Sequence, residues 1–250
     1  GTRGDETPGD GIYVGSTLIL AGDNTPGAIV SVRLTDVAGN EATAQAALPV
    51  SMDTAAPLID GVTHTATGPL REGERLVVRV AGEAGSAATF DIGAERTDIA
   101  MFDDGAGDDD AANDGVYTGA YVVRHDDNLP EAIVTARVTD RNGNTGFRAA
   151  TTRVTLDAMP PPPVRGLSVE DAPDDQGNRL RLTWTAADGV VDFLRYHIYR
   201  ETAPIRSTRG LTPVSTEIVN VGQDAAEMDV PGNNVDYHFA ITAADIARNE

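Results

Sequence analysis

The densest concentration of chemically capable side chains is Asp103-Asp104-Gly105-Ala106-Gly107-Asp108-Asp109-Asp110-Ala111-Ala112-Asn113-Asp114-Gly115, with six carboxylates among about a dozen residues. Like charges at that density repel one another unless a cation screens them. Calcium answers the need, because it accepts six to eight oxygens in flexible geometry and binds extracellular modules as weakly as about 10⁻⁴ to 10⁻³ M. Such an ion would be structural, tying a long loop down and stiffening its module. A plainer reading stands beside it: Asp, Asn and Gly are turn formers, and the stretch is then a solvated acidic loop. The spacing is not that of an EF-hand, since it lacks the glycine at the sixth place and the terminal glutamate.

Other chemistry has little foothold. The chain has no cysteine, no G-x-S-x-G elbow and no glycine loop leading into a helix to cradle phosphate. No catalytic or cofactor-binding residue is assigned, and the expectation is that the chain is not an enzyme. His64, His125, His197 and His238 are scattered without metal-ligand spacing. His197 and His238 each sit one position from an inward tyrosine, which puts them on an outer face where a pair could meet across strands. Arg3-Gly4-Asp5 spells an integrin-type tripeptide, but its repeat counterpart is Gly107-Asp108-Asp109 in the acidic loop, so the motif is read as chance.

The elements that must position the loop are strands. Leu76, Val78 and Val80 alternate with Val77 and Arg79, and Val134, Ala136 and Val138 alternate with Thr135 and Arg137, the period-2 pattern of half-buried strands. Asp36-Val37-Ala38-Gly39-Asn40 and Asp140-Arg141-Asn142-Gly143-Asn144 read as hairpin turns joining the last two strands of a module. Beyond Met159, four prolines form a short, stiff polyproline connector. The alternating segments that follow, with the lone tryptophan Trp184 at an inward position, announce another sandwich.

A repeat organises the chain. Gly9-Asp10-Gly11-Ile12-Tyr13-Val14-Gly15 returns as Asn113-Asp114-Gly115-Val116-Tyr117-Thr118-Gly119, and Ala28 to Asp36 returns as Ala132 to Asp140. Carried on without gaps, the offset of about 104 aligns Asp53 with Asp157 and Pro57 with Pro161, and gathers about twenty identities. That spacing is one β-sandwich. Residues 53–157 are therefore expected to form a complete repeat, residues 1–52 the second half of a preceding one, and residues 158–250 a third module. Within the acidic loop the repeat keeps Asp109 and Asp114 as Asp5 and Asp10 but replaces Asp108 by Gly4. Asp109 and Asp114 are thus the first choice as calcium ligands, followed by Asp103 and Asp104.

Composition sets limits on partners. A net charge of −20 repels nucleic acid and anionic membrane surfaces and favours cations or basic partners. No apolar run approaches the roughly 20 residues of a membrane helix, so no membrane insertion is expected in this stretch. Absence of cysteine leaves both sides of a membrane open.

The residues also carry a family likeness. From Pro163 onward the chain resembles a fibronectin type III domain, with Trp184 on the second strand, Arg195 to Arg200 as the third and Tyr237 to Ala243 as the sixth. The expected seventh strand is missing, and Arg248 stands where the turn before it usually has glycine. Residues 1–157 resemble the immunoglobulin-like repeats of large exported bacterial proteins. That likeness rests on Phe102-Asp103-Asp104-Gly105 leading to Asn113-Asp114-Gly115-Val116-Tyr117, on the Asp-x-x-Gly-Asn turn, and on Asp53-Thr54-Ala55-Ala56-Pro57.

The resemblance implies an all-β chain of tandem, elongated immunoglobulin-like and fibronectin type III sandwiches, secreted or at the cell surface. The implied role is structural or adhesive: a stalk, surface-layer or filament segment whose partners are other modules of the same protein, neighbouring subunits, or a glycan or other cell-surface ligand. The alternative is an accessory spacer or carbohydrate-binding stretch of a secreted hydrolase.

Overall fold

The computed structural model describes residues 9–173, 177–232 and 234–250. The first four strands are short: β1 (Thr25–Ala28), β2 (Ser31–Thr35), β3 (Glu41–Gln45) and β4 (Val50–Met52). They form two separate two-stranded ladders, β1 with β4 and β2 with β3. Pro49 lies in the break between β3 and β4, where a residue with no N–H cannot extend the ladder.

The next seven strands close a two-layer sandwich. They are β5 (Ile59–His64), β6 (Arg75–Gly82), β7 (Ala87–Ile92), β8 (Arg96–Met101), β9 (Val116–Val122), β10 (Asn128–Thr139) and β11 (Thr145–Asp157). One sheet runs β5-β6-β9 and the other β11-β10-β7-β8. The alternation read from the sequence points inward as expected: Leu76, Val78 and Val80 of β6 meet Val134, Ala136 and Val138 of β10 in one core, with Phe90 and Ile92 of β7 between them. Burying each such side chain removes apolar surface from water, worth about 1.5–3 kcal/mol apiece.

Six further strands build a second sandwich: β12 (Arg165–Asp171), β13 (Arg179–Thr185), β14 (Phe193–Glu201), β15 (Ser215–Ile218), β16 (Ala225–Asp229) and β17 (His238–Asp245). The sheets are β12-β13-β16 and β15-β14-β17. This order repeats that of β5 to β10, strand for strand. Its core is separate from the first and centres on Trp184, which meets Tyr196 edge-on at 5.4 Å. The Tyr196 hydroxyl donates to the Val221 carbonyl at 2.7 Å, so the buried ring keeps its polar end satisfied. All-β architecture in tandem sandwiches is thus the fold of the chain. His197 and His238 do not meet: His197 is paired across the ladder with Thr242 and His238 with Glu201, several residues apart along the strands. The cause is register, which the inward and outward alternation alone leaves open.

Candidate metal centre and module joints

The acidic loop joins β8 to β9 and is anchored at both ends by the Phe102–Thr118 bridge. Inside it the carboxylates act first as staples. Asp103 accepts the N–H groups of Asp114 and Gly115 at 3.0 Å each, Asp114 accepts that of Val116 at 2.9 Å, and Asp109 accepts that of Gly105 at 2.6 Å. Folding back this tightly requires left-handed backbone at Gly115 (φ 82°), where a Cβ would stand 2.7 Å from the Gly82 carbonyl oxygen. Gly115→Ala is therefore expected to cost the first sandwich about 2 kcal/mol or more, since strain and clash act together. Urea denaturation, followed by the loss of the β-sheet signal, measures it.

The staples bring Asp103, Asp109 and Asp114 together, one carboxylate oxygen of each lying within 4.8 Å of the others. Among the described residues no arginine pairs with any of the three. The other half of the loop is different. Arg75 of β6 forms a two-pronged pair with Asp108 and holds its carboxyl below the usual carboxylate range, while Arg79 reaches Asp110 at 3.2 Å. The sequence expectation of six mutually repelling carboxylates thus narrows to a trio, because two are neutralised from the neighbouring sheet. Asp104 stands apart from the trio and closes a local turn on the Ala106 N–H at 3.0 Å. Of the four expected ligands, three converge and Asp104 does not.

The trio fits a hard cation in charge and in donor type. Each carboxylate keeps lone pairs after its N–H contact, and the Asp109 side chain is held in place by burial. Calcium there would be held by Asp103, Asp109 and Asp114, with further oxygens from water, and would supply positive charge to a preformed loop. Asp10 repeats the local bond of Asp114, accepting the Ile12 N–H at 2.8 Å. Asp5 and the Arg3-Gly4-Asp5 motif lie outside the described residues.

A second arrangement, which sequence reasoning read only as a hairpin turn, sits where the N-terminal strands meet the first sandwich. In Asp140-Arg141-Asn142-Gly143-Asn144 the aspartate carboxylate takes the Asn144 N–H and its side-chain amide, both at 2.8 Å. Burial pushes the Asp140 carboxyl up, but the Asn144 amide and the turn N–H groups more than reverse this and hold it below the ordinary value. So locked, Asn144 points its amide back at the Asp53 carbonyl at 3.1 Å, and Asn142 reaches the Asp53 carboxylate at 2.9 Å.

The same device recurs one module later. Asn249 is fixed by Asp245 through bonds of 2.8 and 2.9 Å and donates to the Asp157 carbonyl at 2.9 Å. Asp53 and Asp157 are repeat equivalents, one directly after β4 and the other the last residue of β11, so each turn clamps the chain where the preceding module's last strand ends. Asp36 and Asn40 make the same internal bonds, both at 2.8 Å.

The second joint has additional polar contacts. Arg248 reaches Glu74 at 3.0 Å, and Arg71 donates to the Arg248 carbonyl at 3.1 Å. It also gathers Asp157, Asp192 and Asp245, with Asp157 and Asp245 buried and carboxylate oxygens of all three within 4.8 Å. Burial pushes the Asp157 carboxyl up to about 6; the Met159 N–H opposes the rise, and the charges of Asp245 and Asp192, with a carboxyl–carboxylate hydrogen bond to Asp192, reinforce it.

Fold and joints together define a chain of β-sandwich modules coupled end to end by a repeated asparagine clamp. No family model matches the chain, and no curated protein does. Among solved structures it is similar to the titin domains Z1Z2 in complex with telethonin, at 15% identity and a TM-score of 0.29, covering 78% of this chain and 96% of that one. At that score the likeness carries no argument about function.

Proposed function

We propose that this chain is a non-catalytic, load-bearing segment of a larger secreted or surface protein of the immunoglobulin-like and fibronectin type III kind, a stalk or filament stretch that holds sandwich modules in fixed succession. The observation that carries this reading is the clamp itself, built twice with the same residue types, Asn144 on Asp53 and Asn249 on Asp157. Its effect is to fix how one sandwich follows the next, whereas a tether needs only a linker. Calcium held by Asp103, Asp109 and Asp114 stiffens the module between the joints.

The joint is tested by small-angle scattering and limited proteolysis of the full chain. Asn144→Ala and Asn249→Ala, each removing the clamp's hydrogen bond and the side-chain bond to the locking aspartate, worth about 1 kcal/mol apiece, are expected to broaden the distance distribution and speed cleavage near residues 53–57 and 158–163. A wild-type chain that already scatters as freely jointed beads would sink the reading.

The ion is tested separately by melting in chelator and in 10 mM calcium. A dissociation constant of about 10⁻⁴ to 10⁻³ M corresponds to a gain of about 1.4–2.7 kcal/mol in the first sandwich. Asp109→Asn is expected to abolish the gain. Identical melting with and without calcium would remove the ion from the proposal.

A further inference from the structure

Residues 9–52 repeat residues 113–156, yet the same side-chain positions meet opposite surroundings. Val30, Val32, Leu34 and Val50 are 44% to 49% exposed, while their equivalents Val134, Ala136, Val138 and Val154 are at most 1% exposed. Tyr13 is 75% exposed and its equivalent Tyr117 is 2% exposed. The backbone differs in the same way. Val116–Val122 is a strand because β6 pairs with it residue by residue, whereas the matching Ile12–Leu18 has no ladder partner and is not a strand. Likewise β7 lies along Val134–Thr139, and nothing among the described residues lies along Val30–Thr35 on the side away from β3.

Three polar groups on this half are set for contacts that its counterpart makes. Asp23 accepts the Leu20 N–H at 2.7 Å, as Asp127 accepts that of Arg124 at 2.7 Å. Asp127 is completed by the Arg96 guanidinium at 2.6 Å, and among the described residues no cation reaches Asp23. Asn40 is locked by Asp36 in the clamp geometry but, among the described residues, holds no carbonyl of a preceding strand. Asp10 already makes the turn through which its counterpart Asp114 leads the chain from the first half of a module into the second.

We infer that residues 9–52 form an acceptor half-sandwich, completed by a first-half segment of the same repeat type, Asp53 to Asp104 in pattern, carried ahead of them on the same polypeptide. Its second strand pairs with Ile12–Leu18 as β6 pairs with β9, and its third lies along Val30–Thr35 as β7 lies along β10. It places alternating apolar residues over Tyr13, Val32 and Leu34 and brings a cation to Asp23. The apolar match supplies the driving force, and the cation at Asp23 supplies the register. This inference is independent of the calcium reading and of the stalk reading.

The test joins a copy of residues 53–104 ahead of Gly1, reproducing the Asp104–Gly105 junction, and follows backbone hydrogen exchange in the native and the extended chain. In the extended chain, amides of Tyr13 and of Val30–Leu34 are expected to slow by about 100-fold or more, with those of Val134–Val138 unchanged as an internal reference. In a second extension, the copied counterparts of Leu76, Val78 and Val80 are changed to serine, and the protection is expected to vanish. Unchanged exchange in the first extension, with the reference amides intact, overturns the inference. So does a native chain that sediments as a dimer with Val30–Leu34 already protected and becomes monomeric on Val32→Asp, because the occupant is then a second copy.

Discussion

Replacing Asp127 with alanine is expected to destabilise the first sandwich by about 3–5 kcal/mol, a larger loss than any calcium effect, because it removes a buried carboxylate on which several hydrogen bonds converge and leaves the Arg96 guanidinium only the more distant Asp126 at 3.3 Å. Asp127 is fully buried. Its carboxylate holds the Arg96 guanidinium at 2.6 and 2.7 Å, accepts the Tyr121 hydroxyl at 2.8 Å and takes the Arg124 N–H at 2.7 Å. Its own carbonyl receives the Ala158 N–H at 2.9 Å. One residue therefore ties β8, β9, the turn before β10 and the strand leading to the proline connector. In a domain of this size the loss corresponds to a fall of roughly 15 °C or more in Tm. Asp127→Asn keeps the shape and loses the charge, so it is expected to fall between wild type and alanine. Pairing Asp127→Leu with Arg96→Met removes both charges and is expected to recover much of the loss, which separates a stranded charge from simple loss of packing. A calorimetric scan of the full chain resolves this, since the core around Trp184 is separate and serves as the unperturbed reference. An alanine variant that melts within a degree or two of wild type would refute the assignment.

Asp127 also shows how far the sequence can be read. Strand alternation at Leu76, Val78 and Val80 was legible because side chains on a strand face opposite ways, and the repeat was legible because its offset never changes. The turn Asp140 to Asn144 was legible as a hairpin, since its bonds are local. Its second task was not, because which carbonyl faces Asn144 depends on how the next strand leaves the module. Arg79 was read only as an outward residue of a strand and Arg75 was not read at all, although they neutralise Asp110 and Asp108 about thirty residues away. Asp127 had a signal that went unused: the repeat keeps it as Asp23, together with Asn24 and Pro26. A carboxylate kept at the end of an apolar strand is more informative than six in a loop. In the loop, turn formation explains each aspartate separately; Asp127 also closes a turn on the Arg124 N–H, but only Arg96 and Tyr121 on neighbouring strands account for a carboxylate buried there.

The second joint should lose stability as pH rises, opposite to the behaviour of the chain's other perturbed carboxylates. Asp157 titrates near 6 in the folded joint against 3.8 as its ordinary value. Between about pH 4 and 6 the folded chain thus holds a proton that the unfolded chain has released, and stability falls with increasing pH through that window before levelling above it. The full shift corresponds to about 3 kcal/mol; solvent screening reduces this to between about 1 and 3 kcal/mol. Asp36, Asp108 and Asp140 are held below their ordinary values, so what they contribute is present above about pH 4 and lost only at lower pH. The two effects therefore occupy separate windows. Melting of the full chain at pH 4.5, 5.5 and 6.5 should show a monotonic fall, and Asp157→Asn should flatten it while raising stability at pH 6.5. A flat wild-type profile would show that the folded joint does not hold the Asp157 proton. A slope that millimolar calcium removes would assign the relief of charge there to a cation instead, and the joint between the two sandwiches would then tighten with the ion rather than with acid.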